Sequence, residues 1–153
     1  MATLKKINLS SFHLSNAGVS ILAQTLGSRN TTPQKLTLKI YPIKPSGIGV
    51  LLEAMEQSSH CIADLDLKCN RVGNEGASLI ARSLGNNALP NITRLSLYNC
   101  GIGDDEFIAL MSALEQNTSL LRLDLRNLYA VSERAFLASA ERESTRDQSF
   151  TTN

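Results

Sequence analysis

Asp64 and Asp66 are the first residues of this 153-residue chain whose types and spacing could support catalysis. On one strand, residues two apart point to the same face, with their side chains about 7 Å apart. A carboxylate pair at that separation could share acid and base roles. It would also need an enclosed apolar pocket that raises one pKa, and the sequence pattern provides none. We therefore interpret the pair as part of a solvated strand face.

A glycine-containing turn at Gly101 and Gly103 lies between a predicted strand and a predicted helix, which is the setting of a dinucleotide-binding turn. Glu106 replaces the third glycine of that fingerprint, and Asp104 and Asp105 lie where a pyrophosphate would bind. Their negative charge would repel the ligand. We interpret these acids as groups that complement the dipole of the following helix, and we expect no cofactor.

Cysteine and histidine are sparse: Cys61, Cys69, Cys100, His13 and His60. They show no zinc-binding spacing such as Cys-x-x-Cys, and neither histidine shares a motif with a nucleophile. We therefore expect no metal site, no catalytic residues and no enzyme, and we interpret the cysteines as small buried thiols. An odd number of cysteines is typical of a reducing compartment, where a Cys69–Cys100 disulfide would not persist.

Composition excludes several classes of function. Hydrophobic residues make up 42% of the chain, which argues against disorder throughout. A net charge of +1, 5% aromatic residues and no tryptophan argue against a nucleic-acid or membrane-surface binder. The N-terminus lacks the apolar run of a secretory signal, and no apolar run approaches the ~20 residues of a membrane span. We expect the protein in the cytoplasm, with the nucleus as the alternative.

One pattern repeats five times, with units that start near residues 4, 33, 62, 92 and 120. The spacings between starts are 29, 29, 30 and 28 residues, and such a period indicates tandem structural repeats. The clearest units read Ile62-x-x-Leu65-x-Leu67-x-x-Asn70 and Ile92-x-x-Leu95-x-Leu97-x-x-Cys100. The sequence predicts a repeat array over residues 1–140 and a frayed helix end with a disordered tail over residues 141–153.

Each unit combines two hydrophobic periods. The Leu-x-Leu segment alternates as a short strand does, and the following apolar residues recur at i, i+3 and i+4 as on one helix face. Ser15, Asn74 and Asp104 are the predicted helix N-caps, and Gly27 and Gly85 the predicted C-caps. Stacked units should share one core column, made of Ile7, Leu36, Leu65, Leu95 and Leu123.

This pattern resembles the leucine-rich repeat family, in particular its ribonuclease-inhibitor type, over roughly residues 4–140. The resemblance implies an α/β solenoid, a short horseshoe with a parallel sheet on its concave side and helices on its convex side. It also implies that Asn70 and Cys100 turn inward and hydrogen-bond the loop backbone. Phe12, Tyr41 and Leu128 depart from that position, so we expect the first, second and last units to be less regular.

The concave side should carry three columns of outward side chains. The first is Lys6, Lys35, Asp64, Arg94, Arg122; the second is Asn8, Thr37, Asp66, Ser96, Asp124; the third is Ser10, Lys39, Lys68, Tyr98, Arg126. Seven cations against three carboxylates give this face a charge of +4, and Asp64 is expected to pair with its basic neighbours. The third column contains no acid, and it predicts a basic stripe that binds an acidic loop or peptide. The alternative is that these charges only keep the exposed sheet soluble and unpaired.

These observations favour a non-enzymatic protein-interaction module, similar to the sensor arrays of innate-immune NOD-like receptors. The predicted partner-binding residues are Lys39, Lys68, Arg94, Tyr98, Arg122 and Arg126. The predicted partner is another protein with an acidic surface, and neither nucleic acid nor membrane. Two alternatives stay open: a regulator of a small GTPase, by analogy with the Ran GTPase-activating family, and a fragment of a longer repeat protein. The sequence does not set the oligomeric state.

Overall fold

The computed structural model describes residues 5–10, 15–27, 33–39, 43–57 and 62–148, and only the backbone of residues 141–148. Five short strands alternate with five helices along these residues. In chain order the elements are β1 (Lys6–Asn8), α1 (Asn16–Gly27), β2 (Lys35–Thr37), α2 (Pro45–Gln57), β3 (Asp64–Asp66), α3 (Gly73–Gly85), β4 (Arg94–Ser96), α4 (Asp104–Gln116), β5 (Arg122–Asp124) and α5 (Glu133–Gln148). The α5 helix thus extends beyond residue 140, and residues 149–153 lie outside the described residues.

The strands form one parallel sheet in the order β1-β2-β3-β4-β5. Its register aligns the predicted core column, because Leu36 pairs with Leu65, Leu65 with Leu95, and Leu95 with Leu123. Neighbouring helices pack against each other in the same order along the array. The predicted repeat solenoid is confirmed, with one strand and one helix in each unit.

The core lies between the sheet and the helices. Leu36, Leu65 and Leu95 are buried because a repeat covers each of them on both sides. Ile7 and Leu123, at the two ends of the described sheet, are only partly buried. Each inner unit therefore depends on its neighbours for burial, which is the expected behaviour of a stacked array.

Two polar residues complete the turns that follow β3 and β4. The buried Asn70 side chain donates through Nδ2 to the carbonyl oxygens of Leu38 at 2.6 Å and Leu67 at 2.8 Å. The Cys100 thiol donates to Leu67 at 3.2 Å. Burial raises the pKa of Cys100 to about 11, so this thiol stays protonated and able to donate. The inward orientation of both residues is confirmed.

The residue before the repeat position of Asn70 and Cys100 has a left-handed backbone in three units. The φ angles are 57° for Cys69, 53° for Asn99 and 66° for Asn127. This turn leaves Cys69 half-buried, with its sulfur 3.8 Å from Asn99 Nδ2. The prediction that the cysteines are buried is thus confirmed for Cys100 and wrong for Cys69, and both thiols are free. Cys61 lies outside the described residues, as do Phe12 and Tyr41.

The predicted N-caps behave in two different ways. Ser15 caps α1, because its hydroxyl accepts from the Gly18 N–H at 3.3 Å. Asn74 and Asp104 do not cap their helices, so that prediction is wrong. Asn74 Oδ1 accepts from the Gly103 N–H at 3.0 Å, and Asp104 accepts from the N–H and hydroxyl of Ser132, both at 2.6 Å. Each of these two side chains therefore links its repeat to the next one.

The end of α3 also differs from the prediction. Gly85 is the last helical residue and does not have a left-handed backbone. Asn87 takes that conformation instead, with φ of 51°. Its N–H donates to Leu84, and the N–H of Ala88 donates to Ser83, which is the hydrogen-bond pattern of a Schellman motif. Asparagine tolerates a left-handed backbone better than most residues, which explains this substitute for glycine. Gly27 is the last residue of α1, and the residues that follow it lie outside the described residues.

None of the helices in the described part of the chain has the length and apolar character needed to cross a bilayer.

Candidate protein-binding face of the sheet

We use the name concave face for the side of the sheet that is turned away from the helices. The strand register confirms the first two predicted columns, because members of one column pair on neighbouring strands. Arg94 lies next to Arg122 in the first column, and Asp66 lies next to Ser96 in the second. Beyond the strands, the backbone ladder continues from Cys69 N–H to the Tyr98 carbonyl at 2.9 Å. The concave face is therefore an ordered array of outward side chains, and one set comes from each repeat.

Three members of the predicted third column contact each other. The Lys68 ammonium lies 5.8 Å from the centre of the Tyr98 ring, and the Arg126 guanidinium carbon lies 5.9 Å from it. Both distances are within the range of a cation–π interaction. The structure thus brings Lys68, Tyr98 and Arg126 together as one cluster.

The cations of the third column are not free, because each of them pairs with a carboxylate of the second column. Lys39 lies 3.2 Å from Asp66, and Lys68 lies 3.9 Å from Asp124. Arg126 donates two hydrogen bonds to Asp124, from Nε at 2.9 Å and from Nη2 at 3.0 Å. The third column itself contains no acid, as the sequence indicates, but its cations pair with acids of another column and are not a stripe of free positive charges. The sequence prediction compared residues only within one column, whereas the acid partner lies in the same repeat for Arg126, in the next repeat for Lys39 and two repeats away for Lys68.

Protonation at this cluster follows from the same contacts. The side-chain hydrogen bond from Arg126 is the main cause that lowers the pKa of Asp124 to about 2. The same contact raises the pKa of Arg126. At neutral pH both groups are charged and held together, so Arg126 must leave Asp124 before it can bind an outside anion with its full donor fork.

The first column has a different electrostatic balance. Asp64 lies 2.6 Å from the ammonium of Lys35 and 4.0 Å from the nearest nitrogen of Arg94, which confirms its predicted pairing. Arg94 remains 64% exposed. Arg122 is exposed, and among the described residues no carboxylate lies within 4.0 Å of its guanidinium. Among the described residues, the concave-face cations with little or no carboxylate contact are thus Lys6, on the edge strand β1, and the neighbouring pair Arg94 and Arg122.

A shallow polar groove of about 340 Å³ runs across this part of the sheet. The residues that line it are Lys35, Asp64, Asp66, Lys68, Arg94, Leu95, Ser96, Arg122, Asp124 and Arg126. The groove is large enough for one or two side chains of a partner. It includes four of the six predicted binding residues; of the other two, Tyr98 packs against Lys68 and Lys39 pairs with Asp66.

Asp64 and Asp66 each have a basic partner, and Asp66 is buried, so the interpretation of the pair as a solvated strand face is wrong for Asp66. Within the described ranges, no group of three or more histidine, cysteine, aspartate or glutamate side chains is arranged to hold a metal ion. His13 and His60 lie outside the described residues.

Residues 58–81 match the model of the Leucine Rich repeat family. These residues contain β3 and most of α3, where the sequence pattern is clearest. A curated human protein, NACHT, LRR and PYD domains-containing protein 5, is 32% identical over 129 residues, which cover 81% of this chain. The chain spans only 10% of that relative's length.

Two solved structures share the fold. The tropomodulin C-terminal domain from Caenorhabditis elegans has a TM-score of 0.65 and 21% identity, with 97% of this chain and 90% of that chain covered. The structure titled Leiomodin-1 Actin-Binding Site 2 has a TM-score of 0.68 and 17% identity, with 95% and 83% covered. Both comparisons show a shared architecture.

Proposed function

Because this chain is a leucine-rich repeat protein with repeats similar to those of a NACHT-, LRR- and PYD-containing protein, we propose that it binds a protein partner through its concave face. The observation that carries this proposal is the ordered row of outward side chains, one set per repeat, across a sheet whose register the core leucines fix. A rigid array of this kind presents a preformed surface, so little ordering entropy is lost when a partner docks.

The charge of the concave face points to the chemistry of the partner. The face carries a net +4 while the whole chain carries +1. Complementary charge speeds association and disfavours partners of the same sign. The concave face therefore fits a partner with an acidic surface best, and Arg94 and Arg122 are the neighbouring residues of the face that are most available to contact it. Tyr98 adds an aromatic surface, and tyrosine and arginine are frequent in the energetic centres of protein interfaces.

A binding role also agrees with the environment of the polar side chains. The three aspartates of the concave face are each held by a lysine or arginine. For Asp124, the contact with Arg126 lowers the pKa, which is the opposite of what a general acid at neutral pH needs. We propose that the protein acts without catalysis, and in the cytoplasm.

Affinity capture with a matched pair of double variants tests the proposal. Arg94→Gln with Arg122→Gln removes two charges from the concave face. Arg71→Gln with Arg82→Gln removes two charges from exposed residues that do not belong to it. Partners are captured by wild-type and variant chains and quantified by mass spectrometry. Actin is included as a purified candidate, because one structurally similar protein is titled an actin-binding site.

We expect at least one acidic partner to be lost with the concave-face variant and kept with the control variant. Circular dichroism of both variants checks that the fold is intact. Equal capture by the two variants would contradict the proposal, because net charge alone would then explain retention.

A further inference from the structure

Arg94 and Arg122 form an unusual pair on the concave face. They occupy the same register on the adjacent strands β4 and β5. Neighbouring strands lie about 4.8 Å apart, and like charges directly opposite each other destabilise a sheet. Asp64 relieves this repulsion only in part, because its close contact of 2.6 Å is with Lys35 and it lies 4.0 Å from Arg94. The folded chain therefore places two arginines at paired positions of adjacent strands, with little compensation of their charge.

The groove around this pair has an excess of positive charge. Five cations and three carboxylates line it, which leaves a net charge of +2. Two of these cations, Lys35 and Arg126, have ion-pair contacts shorter than 3 Å. A single aspartate or glutamate side chain would supply only half of the missing negative charge. A phosphomonoester carries about −1.5 to −2 at neutral pH and offers three acceptor oxygens at one point.

Guanidinium groups suit such a ligand. Each has a planar fork of N–H donors that matches two phosphate oxygens, and charge-assisted bonds of this kind are about twice as strong as neutral ones. Two adjacent forks can hold one phosphate from two sides. The mutual repulsion of the arginines then becomes attraction to a shared dianion.

We propose, on the basis of the proposed function, that Arg94 and Arg122 bind the phosphate group of a phosphorylated side chain on the protein partner. The protein would then recognise an acidic segment in its phosphorylated form. The groove volume of about 340 Å³ fits one such side chain lying across β4 and β5.

Nuclear magnetic resonance titration of the full ¹⁵N-labelled chain tests the site directly. The two probes are O-phosphoserine and glutamate, each blocked at both ends, at constant ionic strength. We expect phosphoserine to shift the Nε–H resonances of Arg94 and Arg122 and to bind at least about fivefold more tightly than glutamate. Equal affinity for the two probes, or shifts confined to other residues, would overturn the proposal.

Three single variants localise the effect. Arg94→Gln and Arg122→Gln should each weaken phosphoserine binding by about tenfold, since each removes charge-assisted hydrogen bonds. Arg82→Gln, an exposed arginine on α3, should leave it unchanged. If all three variants bind like the wild type, the arginine pair is not the site.

Phosphatase treatment of a captured partner separates this inference from the proposed function. We expect treatment to reduce binding to the wild-type chain. If a partner is lost with the Arg94→Gln, Arg122→Gln double variant but is unaffected by phosphatase, the concave face binds proteins and the phosphate inference is wrong.

Discussion

The replacement of Asn70 by alanine tests how the turns of the array are held together. Asn70 is buried, and its amide donates to the carbonyl oxygens of Leu38 in the preceding repeat and Leu67 in its own. Leu67 keeps a second donor in the variant, the thiol of Cys100 at 3.2 Å. The Leu38 carbonyl has no other recorded side-chain donor among the described residues. One carbonyl thus loses its donor, and the other loses one of two.

These contacts set the size of the effect. A buried acceptor that loses its donor costs about 1–3 kcal/mol, and an ordinary hydrogen bond contributes about 0.5–1.5 kcal/mol. We therefore expect Asn70→Ala to lower the free energy of unfolding by about 2–4 kcal/mol. For a domain of this size that corresponds to a decrease in Tm of about 4–16 °C.

Urea denaturation followed by circular dichroism measures the change, and two further variants calibrate it. Cys100→Ala removes a weaker donor and should cost about 1–2 kcal/mol. Asn70→Cys should recover part of the loss, because a thiol already fills the same position in the next repeat. A loss below about 1 kcal/mol for Asn70→Ala, or a loss equal to that of Cys100→Ala, would refute the reasoning.

Three more predictions follow from burial, backbone geometry and charge. Leu95→Ala should cost about 2–5 kcal/mol of unfolding free energy in urea, and Leu123→Ala about half as much, because Leu123 is only partly buried; equal losses would contradict the stacked core. Gly101→Ala should lower the free energy of unfolding by about 1 kcal/mol in the same assay, because the φ angle of Gly101 is 69°. Gly85→Ala should change it by less than about 0.5 kcal/mol, since the added Cβ meets Ala113 at an ordinary contact distance of 3.5 Å. The pKa of Asp124, about 2, lies below its usual value of 3.8, so the pair with Arg126 stabilises the fold above pH 4 and this stabilisation is lost as the pH falls toward 2. Asp124→Asn should therefore cost about 1 kcal/mol at pH 7, a value reduced for the solvent exposure of Arg126, and the difference from wild type should vanish in acid; a difference independent of pH would exclude this origin.

The sequence was sufficient to predict the repeat frame and the strand register. The frame is visible because a repeat array has a buried leucine at the equivalent position of every unit. The regular spacing of these leucines therefore predicts the core column from Leu36 to Leu123. The inward roles of Asn70 and Cys100 followed from the resemblance to leucine-rich repeats, and both are confirmed.

Contacts between neighbouring repeats were harder to predict. Asn74 and Asp104 have the residue types and near-terminal positions of N-caps, yet their oxygens bind donors of the following unit. A local pattern cannot reveal an acceptor's partner about 30 residues away. Gly85 was favoured as a C-cap by its type and its position after the last apolar helix residue, although Asn87 provides the left-handed residue two positions later.

The concave face shows the same limit. The sequence placed the right side chains in the right columns, but it did not show which acids neutralise which cations. Asp124 accepts both donors of Arg126, so the predicted stripe is largely compensated. Less compensated charge lies two columns away, at Arg94 and Arg122 of the first column. That difference depends on side-chain reach across strands, which periodicity does not encode.

Protection of arginines from chemical modification tests the concave face as a binding surface most directly. The chain is treated with phenylglyoxal alone and in complex with a captured partner, and modification of each arginine is read by mass spectrometry. Arg71 and Arg82 are exposed arginines outside the concave face and serve as internal references. We predict that the partner protects Arg94 and Arg122 and leaves Arg71 and Arg82 reactive. Protection of the reference pair, with Arg94 and Arg122 still reactive, would show that the partner binds elsewhere.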